Sequence, residues 1–175
     1  GIVTFLSGPA SGPFGIPAKN AAEVWIEKIN REGGIGGAKV VPVFTDEAGP
    51  ADKVVTEYRR LVLDEKVDAV IGYISSANCL AVPPVAEELK VLTVLADCGT
   101  DRVFEERPYR YVFRTHAHTV IDGVVAARYL LTVKPDVKTV AGINQDYAWG
   151  RDSWDVFIRA LRKLKPDVQV VDTLW

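Results

Sequence analysis

Nothing in this sequence of 175 residues approaches the roughly 20 consecutive apolar positions that a membrane-spanning helix requires. Runs of like charge and a basic face are missing too: charged residues make up 25% of the chain, the two signs are interspersed, and the net charge is −2. That balance argues against nucleic acid as a partner. Histidine and cysteine are scarce, two of each, and neither CxxC nor HxxxH spacing occurs, so a zinc centre has no ligand set. The phosphate loops GxGxxG and GxxxxGKS/T are absent. Without GxSxG there is no nucleophile elbow for serine hydrolysis. There are no internal repeats and no low-complexity tracts. The chain opens on GIVTFLSG, already strand-like, so a secretory leader is expected to have been removed or never to have been there.

What is present is ordinary globular material, 48% hydrophobic, in a length suited to one domain or two small ones. Short β-rich runs alternate with longer amphipathic ones. Val3–Leu6, Val40–Phe44, Val67–Ile71, Leu92–Leu95, Tyr111–Arg114, Thr139–Ile143 and Val168–Val171 read as strands, most of them apolar on both faces. Ala18, Ala21, Ala22, Trp25 and Ile29 keep helical spacing and stop at Gly33-Gly34. Further helical stripes run over Val54–Val62, Asp122–Leu131 and Ser153–Leu164, and Pro83-Pro84 are expected to interrupt another at Ala77–Leu89. The fold class is therefore α/β: open, mostly parallel sheets with flanking helices and right-handed crossovers. A polar connection at Asp97–Tyr109 breaks the rhythm, and we place a lobe boundary at Thr115–His118, giving residues 1–116 and 117–175.

In such folds ligands meet the carboxyl ends of strands, which selects the loops Ser7–Gly15, Asp46–Gly49, Ser75–Asn78, Asp97–Asp101 and Asn144–Gly150. Phe14 is either a hydrophobic wall for a ligand or a core residue under its loop. Ser75 and Ser76 are good helix caps; with the helix-end amides they equally form an anion site. Ser76 and Thr100, after consecutive strands, are placed to face one ligand group. The same neighbourhood applies to Cys79 and Cys98, which read as a disulfide or as two buried thiols. A bond closing a loop of about 20 residues would contribute on the order of 3 kcal/mol. Tyr147 and Trp149 suit stacking over an organic molecule or packing on a helix end. Catalysis by Cys98 with His116 or His118 is conceivable, but neither histidine has an evident orienting partner.

The ordered segments SGP, NAA, GGIGGAKV, DEAG, VDAVIGYISS, PVAEE, YVFRT and YAWG resemble type I periplasmic binding proteins, and more narrowly the branched-chain amino acid receptors of ABC importers. The resemblance implies two α/β lobes that close by a hinge on a small organic acid or amino acid in an interlobe cleft. It implies no catalysis and no cofactor, delivery to a membrane permease, and a periplasmic or extracytoplasmic location. It assigns Ser76, with the nearby amides at Ala77, to the ligand carboxylate, together with Thr100, or Gly99 if the loop aligns without a gap. Phe14 and Trp149 match aromatics that cover the ligand, with Asp146 and Tyr147 beside the latter. Where the family reads SPAAT this chain has ADCGT, placing Asp97 and Cys98 in unusual positions. That departure resembles a sub-branch taking aromatic acids, and Asp97 is expected to face away from a carboxylate or to meet a polar ligand group. Family members are about twice as long and keep an ammonium-binding acid in the half not present here. A ligand-sensing domain of a regulatory receptor is the alternative role.

Overall fold

A computed structural model describes residues 1–175, which divide into two compact units. The first comprises Gly1–Asp97 and Tyr109–Thr115, and the second Cys98–Pro108 and His116–Trp175. The chain passes from the first unit to the second after Asp97, returns at Tyr109, and passes again after Thr115.

The first unit is built on five parallel strands: β1 (Ile2–Thr4), β2 (Phe44–Asp46), β3 (Ala69–Gly72), β4 (Leu92–Leu95) and β5 (Val112–Arg114). Their order is β2-β1-β3-β4-β5. The expected strand at Val40–Phe44 begins later, at Phe44. Pro42 has no N–H for the ladder, and the amide and carbonyl of Val40 are both spent on the Asn30 side chain, at 2.7 and 2.8 Å. Three helices belong to this unit: α1 (Ile16–Arg31), α2 (Ala51–Leu63) and α3 (Ser76–Leu89). Pro83 and Pro84 lie inside α3 without interrupting it. They remove the intrahelical bonds to the Cys79 and Leu80 carbonyls, yet Val82, Pro83, Val85 and Ala86 are buried, and that packing holds the helix continuous.

The two faces of this sheet differ. Val3, Val70, Thr93, Leu95 and Val112 are buried with α2 and α3, and the Tyr58 and Thr93 hydroxyls bond there at 2.8 Å. On the other face Ile2, Ile71, Val94 and Phe113 stand in register across four strands. Ile71 and Phe113 are 46% and 54% exposed, so the expected helical cover is complete on one face only.

The second unit holds α4 (Arg102–Glu105), α5 (Thr119–Val133), β6 (Thr139–Ile143), α6 (Ala148–Leu164) and β7 (Gln169–Leu174). β6 and β7 pair in parallel, and Ala127, Leu161 and Val168 centre a core joined by Leu130, Leu131, Val137, Val140, Phe157 and Ala160. No helix in either unit is long and apolar enough to cross a membrane.

Candidate functional site

In the first unit the chain passes to opposite sides of β1, to β2 and then to β3, which makes the β1/β3 carboxyl ends the switch point where such sheets hold ligands. A cleft of about 330 Å³ opens there, lined by Phe14, Pro13, Ala18, Ile71, Tyr73 and Asp97 among others. Phe14 reaches it through a π-helical turn, Ser11–Gly15, in which the Phe14 and Gly15 amides both donate to the Ala10 carbonyl. Gly15 is required at the end of that turn, since a Cβ there would lie 1.6 Å from the Phe5 carbonyl oxygen. Phe14 is 51% exposed, a wall of the cleft and not a core residue under the loop. Asp97 is also among the residues lining the cleft.

At the end of β3, Ser75 is the N-cap of α3 by backbone geometry, but its hydroxyl caps nothing. Capping therefore does not account for this serine. Ser76 is the first helical residue and is buried, while Ala77, in the same first turn, is exposed.

Two adjacent acids missed as site residues organise these loops. The Asp46 carboxylate accepts from the Leu6 amide (2.9 Å), the Ala48 amide (3.0 Å) and the Ser7 hydroxyl (2.5 Å). Burial pushes its carboxyl up, but these hydrogen bonds outweigh burial and hold it below its ordinary value. Glu47 is fully buried and receives the Ile74 and Ser75 amides and the Asn78 side chain. Burial pushes the Glu47 carboxyl above its ordinary value; those hydrogen bonds oppose the rise and Asp46 adds to it. Tyr73, between them and β3, holds φ +69 and is fully buried with no partner for its hydroxyl. The acidic loop Asp46–Gly49 was selected by its place at a strand end; nothing local marked Glu47 as buried.

In the second unit Thr100 is buried and donates its hydroxyl to Asp152 at 2.6 Å, while accepting the Arg102 amide at 3.3 Å. Asp152, on the first turns of α6, carried no signal in the sequence. Asp101 accepts the Thr119 hydroxyl at 2.9 Å, and the Thr119 amide donates to the Gly99 carbonyl at 2.8 Å, tying this loop to the start of α5. Trp149 lies against Gly99, where a Cβ would stand 2.6 Å from its Cδ1 and 2.7 Å from its Nε1. Tyr147 is the N-cap of α6, with its ring 6.4 Å from that of Trp149. Both aromatics are 37% exposed, and Asp146 beside them accepts from Arg151 at 2.8 Å. His118 occupies the N-cap of α5, and His116 Nδ1 lies against the Ala117 carbonyl.

Cys79 and Cys98 are buried thiols and do not form the disulfide weighed from the sequence. Both are fully buried, Cys79 in the first unit and Cys98 in the second.

The structure thus brings Phe14, Asp97 and the start of α3 together in one unit, and Thr100, Tyr147 and Trp149 in the other. The family model described as "Periplasmic binding protein" matches residues 1–174. The Leu/Ile/Val-binding protein homolog 3 of Brucella melitensis is 34% identical over 163 residues, covering 93% of this chain and 43% of its own length. The leucine-specific-binding protein of Salmonella typhimurium is 31% identical over 150 residues, covering 85% and 40%. Among solved structures, the solute binding protein of an ABC transporter from Rhodopseudomonas palustris BisB5, in complex with 3,4-dihydroxy benzoic acid, is similar with a TM-score of 0.82 at 24% identity, over 99% of this chain and 45% of that one. The branched-chain amino acid transporter substrate binding protein of Streptococcus pneumoniae, in complex with isoleucine, gives 0.86 at 19%, over 99% and 48%. The chain therefore spans less than half the length of these relatives.

Proposed function

Because this chain belongs to the periplasmic binding protein family, we propose that it is part of the substrate-binding component of an ABC importer, acting outside the cytoplasm and passing a small organic acid to a membrane permease without chemical change. The observation that carries this is the cleft at the β1/β3 switch point: it is mostly apolar, walled by the exposed Phe14, and lined up to Ile74, the residue before the N-cap of α3. A helix start whose capping serine leaves the amides uncapped favours a carboxylate. Ser76 and the first-turn amides near Ala77 are its anchor in this reading. Thr100, Tyr147 and Trp149 are the second unit's own candidate contacts, with Thr100 exchanging Asp152 for ligand.

The named relatives bind leucine, isoleucine and valine, and three of the similar structures hold hydroxylated benzoic acids. Asp97 on the cleft wall would repel a carboxylate and accept a hydrogen bond from a phenol or an ammonium. A ligand with its carboxylate at α3 and a donor toward Asp97 satisfies both groups. Calorimetric titration with leucine and 4-hydroxybenzoate tests this. Ser76→Ala and Thr100→Ala are each expected to weaken binding by about 1–3 kcal/mol. Unchanged affinity in both variants refutes the anchor.

A further inference from the structure

We propose that Glu47 is a positioning residue of this site: an internal anion that sets the backbone between β3 and α3 in the form that receives a ligand carboxylate. The proposal rests on the α3 anchor described above. Glu47 is fully buried, and no lysine, arginine or histidine pairs with it. Its charge is met by hydrogen bonds instead. The Ile74 amide lies 3.0 and 2.8 Å from its two oxygens, the Ser75 amide 2.8 Å and the Asn78 Nδ2 3.2 Å from Oε1. Two consecutive backbone amides directed at one carboxylate form the kind of concavity in which proteins bind external anions. Here the protein fills it with its own side chain.

The neighbouring bonds fix where that anion sits. The Glu47 amide donates to the Thr4 carbonyl at 2.8 Å, anchoring the residue to the end of β1, and Asn78 Nδ2 also reaches the Glu47 carbonyl oxygen at 3.4 Å. Glu47 therefore links the ends of β1 and β3 and the first turn of α3. It takes the two amides that precede the helix, next to the first turn where the proposed carboxylate anchor lies.

A carboxylate is needed because three donors converge on two oxygens. Glutamine has one acceptor oxygen, and its NH2 group would face an N–H donor. Protonating Glu47 has a similar effect, since one oxygen becomes a donor. The titratable groups that face it are Asp46 on its own segment and Tyr73 at the end of β3, with Asn78 and Thr4 as neutral neighbours. Burial raises the Glu47 carboxyl above its ordinary value, so lowering the pH moves the unaltered protein toward the state of the glutamine variant.

The test combines Glu47→Gln with amide hydrogen exchange by NMR and titration with 4-hydroxybenzoate and leucine between pH 8 and 5. In the ligand-free variant the Ile74 and Ser75 amides are expected to lose protection, while Val70 and Leu95 in the sheet keep theirs. Affinity for the probe that the unaltered protein binds should fall about tenfold at pH 8. As the pH is lowered it should weaken more in the unaltered protein than in the variant. Unchanged protection at Ile74 and Ser75, or unchanged affinity, overturns the proposal. If the variant fails to fold, Glu47→Asp, whose shorter side chain withdraws the carboxylate from these amides, is read by the same exchange and titration, and no change in either overturns it. If neither probe binds the unaltered protein and the two amides still lose protection, the positioning stands and the carboxylate anchor fails.

Discussion

Replacing Gly99 by alanine separates packing from backbone conformation at the second unit's aromatic pair. The new Cβ would stand 2.6 Å from Trp149 Cδ1 and 2.7 Å from Nε1, roughly 1 Å inside ordinary carbon contact. Gly99 does not hold a positive φ, so alanine meets no backbone penalty there. Overpacking of this size costs about 1–3 kcal/mol, and reduced freedom of the unfolded chain returns about 0.4–1 kcal/mol. The net loss is therefore about 1–2 kcal/mol, toward the lower end because Trp149 is 37% exposed and can tilt outward. For a chain of this size that lowers Tm by about 2–8 °C. Denaturant melts followed by tryptophan fluorescence measure it, with displaced Trp149 emitting at longer wavelength. The control is Gly99→Ala in a Trp149→Ala background, where the clash is absent and the substitution should be neutral or stabilising. An equal loss in both backgrounds would refute the contact as the cause.

Tyr73→Phe removes a buried hydroxyl that has no partner, while β3 and its +69 φ are retained. The expected outcome is a gain of about 1 kcal/mol in a urea melt, and a loss of that size would show that the hydroxyl is bonded in solution. Glu47 carries a stability signature of its own. Its folded pKa is raised, so the folded protein holds a proton that the unfolded chain has released between the ordinary carboxylate value and the raised one. Stability relative to Glu47→Gln should thus rise as pH falls through that window, and a pH-independent difference between the two urea midpoints would contradict the assignment. Finally, unreduced protein in denaturant should show two titratable thiols and native protein none, since Cys79 and Cys98 are buried and not bonded to each other; finding no thiols in denaturant would restore the disulfide.

The order of strands and helices was legible because parallel strands buried on one or both faces read as apolar runs and their crossovers keep helical period. β4 and β6 match their expected bounds, Leu92–Leu95 and Thr139–Ile143, and the helices differ chiefly at their starts. Strand-end position alone selected the loops of Phe14, Ser76, Thr100 and Trp149, because chain order dictates which loops emerge at that edge. The ordered motifs pointed to the periplasmic binding protein family, whose model matches residues 1–174.

Local sequence says nothing of what a polar side chain meets across tens of residues. Val40–Phe44 has the composition of a strand, yet Asn30 holds Val40 and pairing starts at Phe44. Pro83 and Pro84 break the local rule for helices, and burial of α3 overrides it. Cys79 and Cys98 follow consecutive strands, as a bonded pair could, yet both are buried free thiols. Glu47 appeared as one acid in a turn; it is buried because the ends of β1 and β3 converge on it and supply amides that replace water. Asp152 became the partner of Thr100, 52 residues away, in the same manner. The sequence by itself determined the elements, their order and which loops emerge at the carboxyl edge of the sheet, since these follow from periodicity and topology. The partners of each buried polar group were decided only by the tertiary structure, because a desolvated charge or hydroxyl is satisfied by whatever donors the fold brings within about 3 Å.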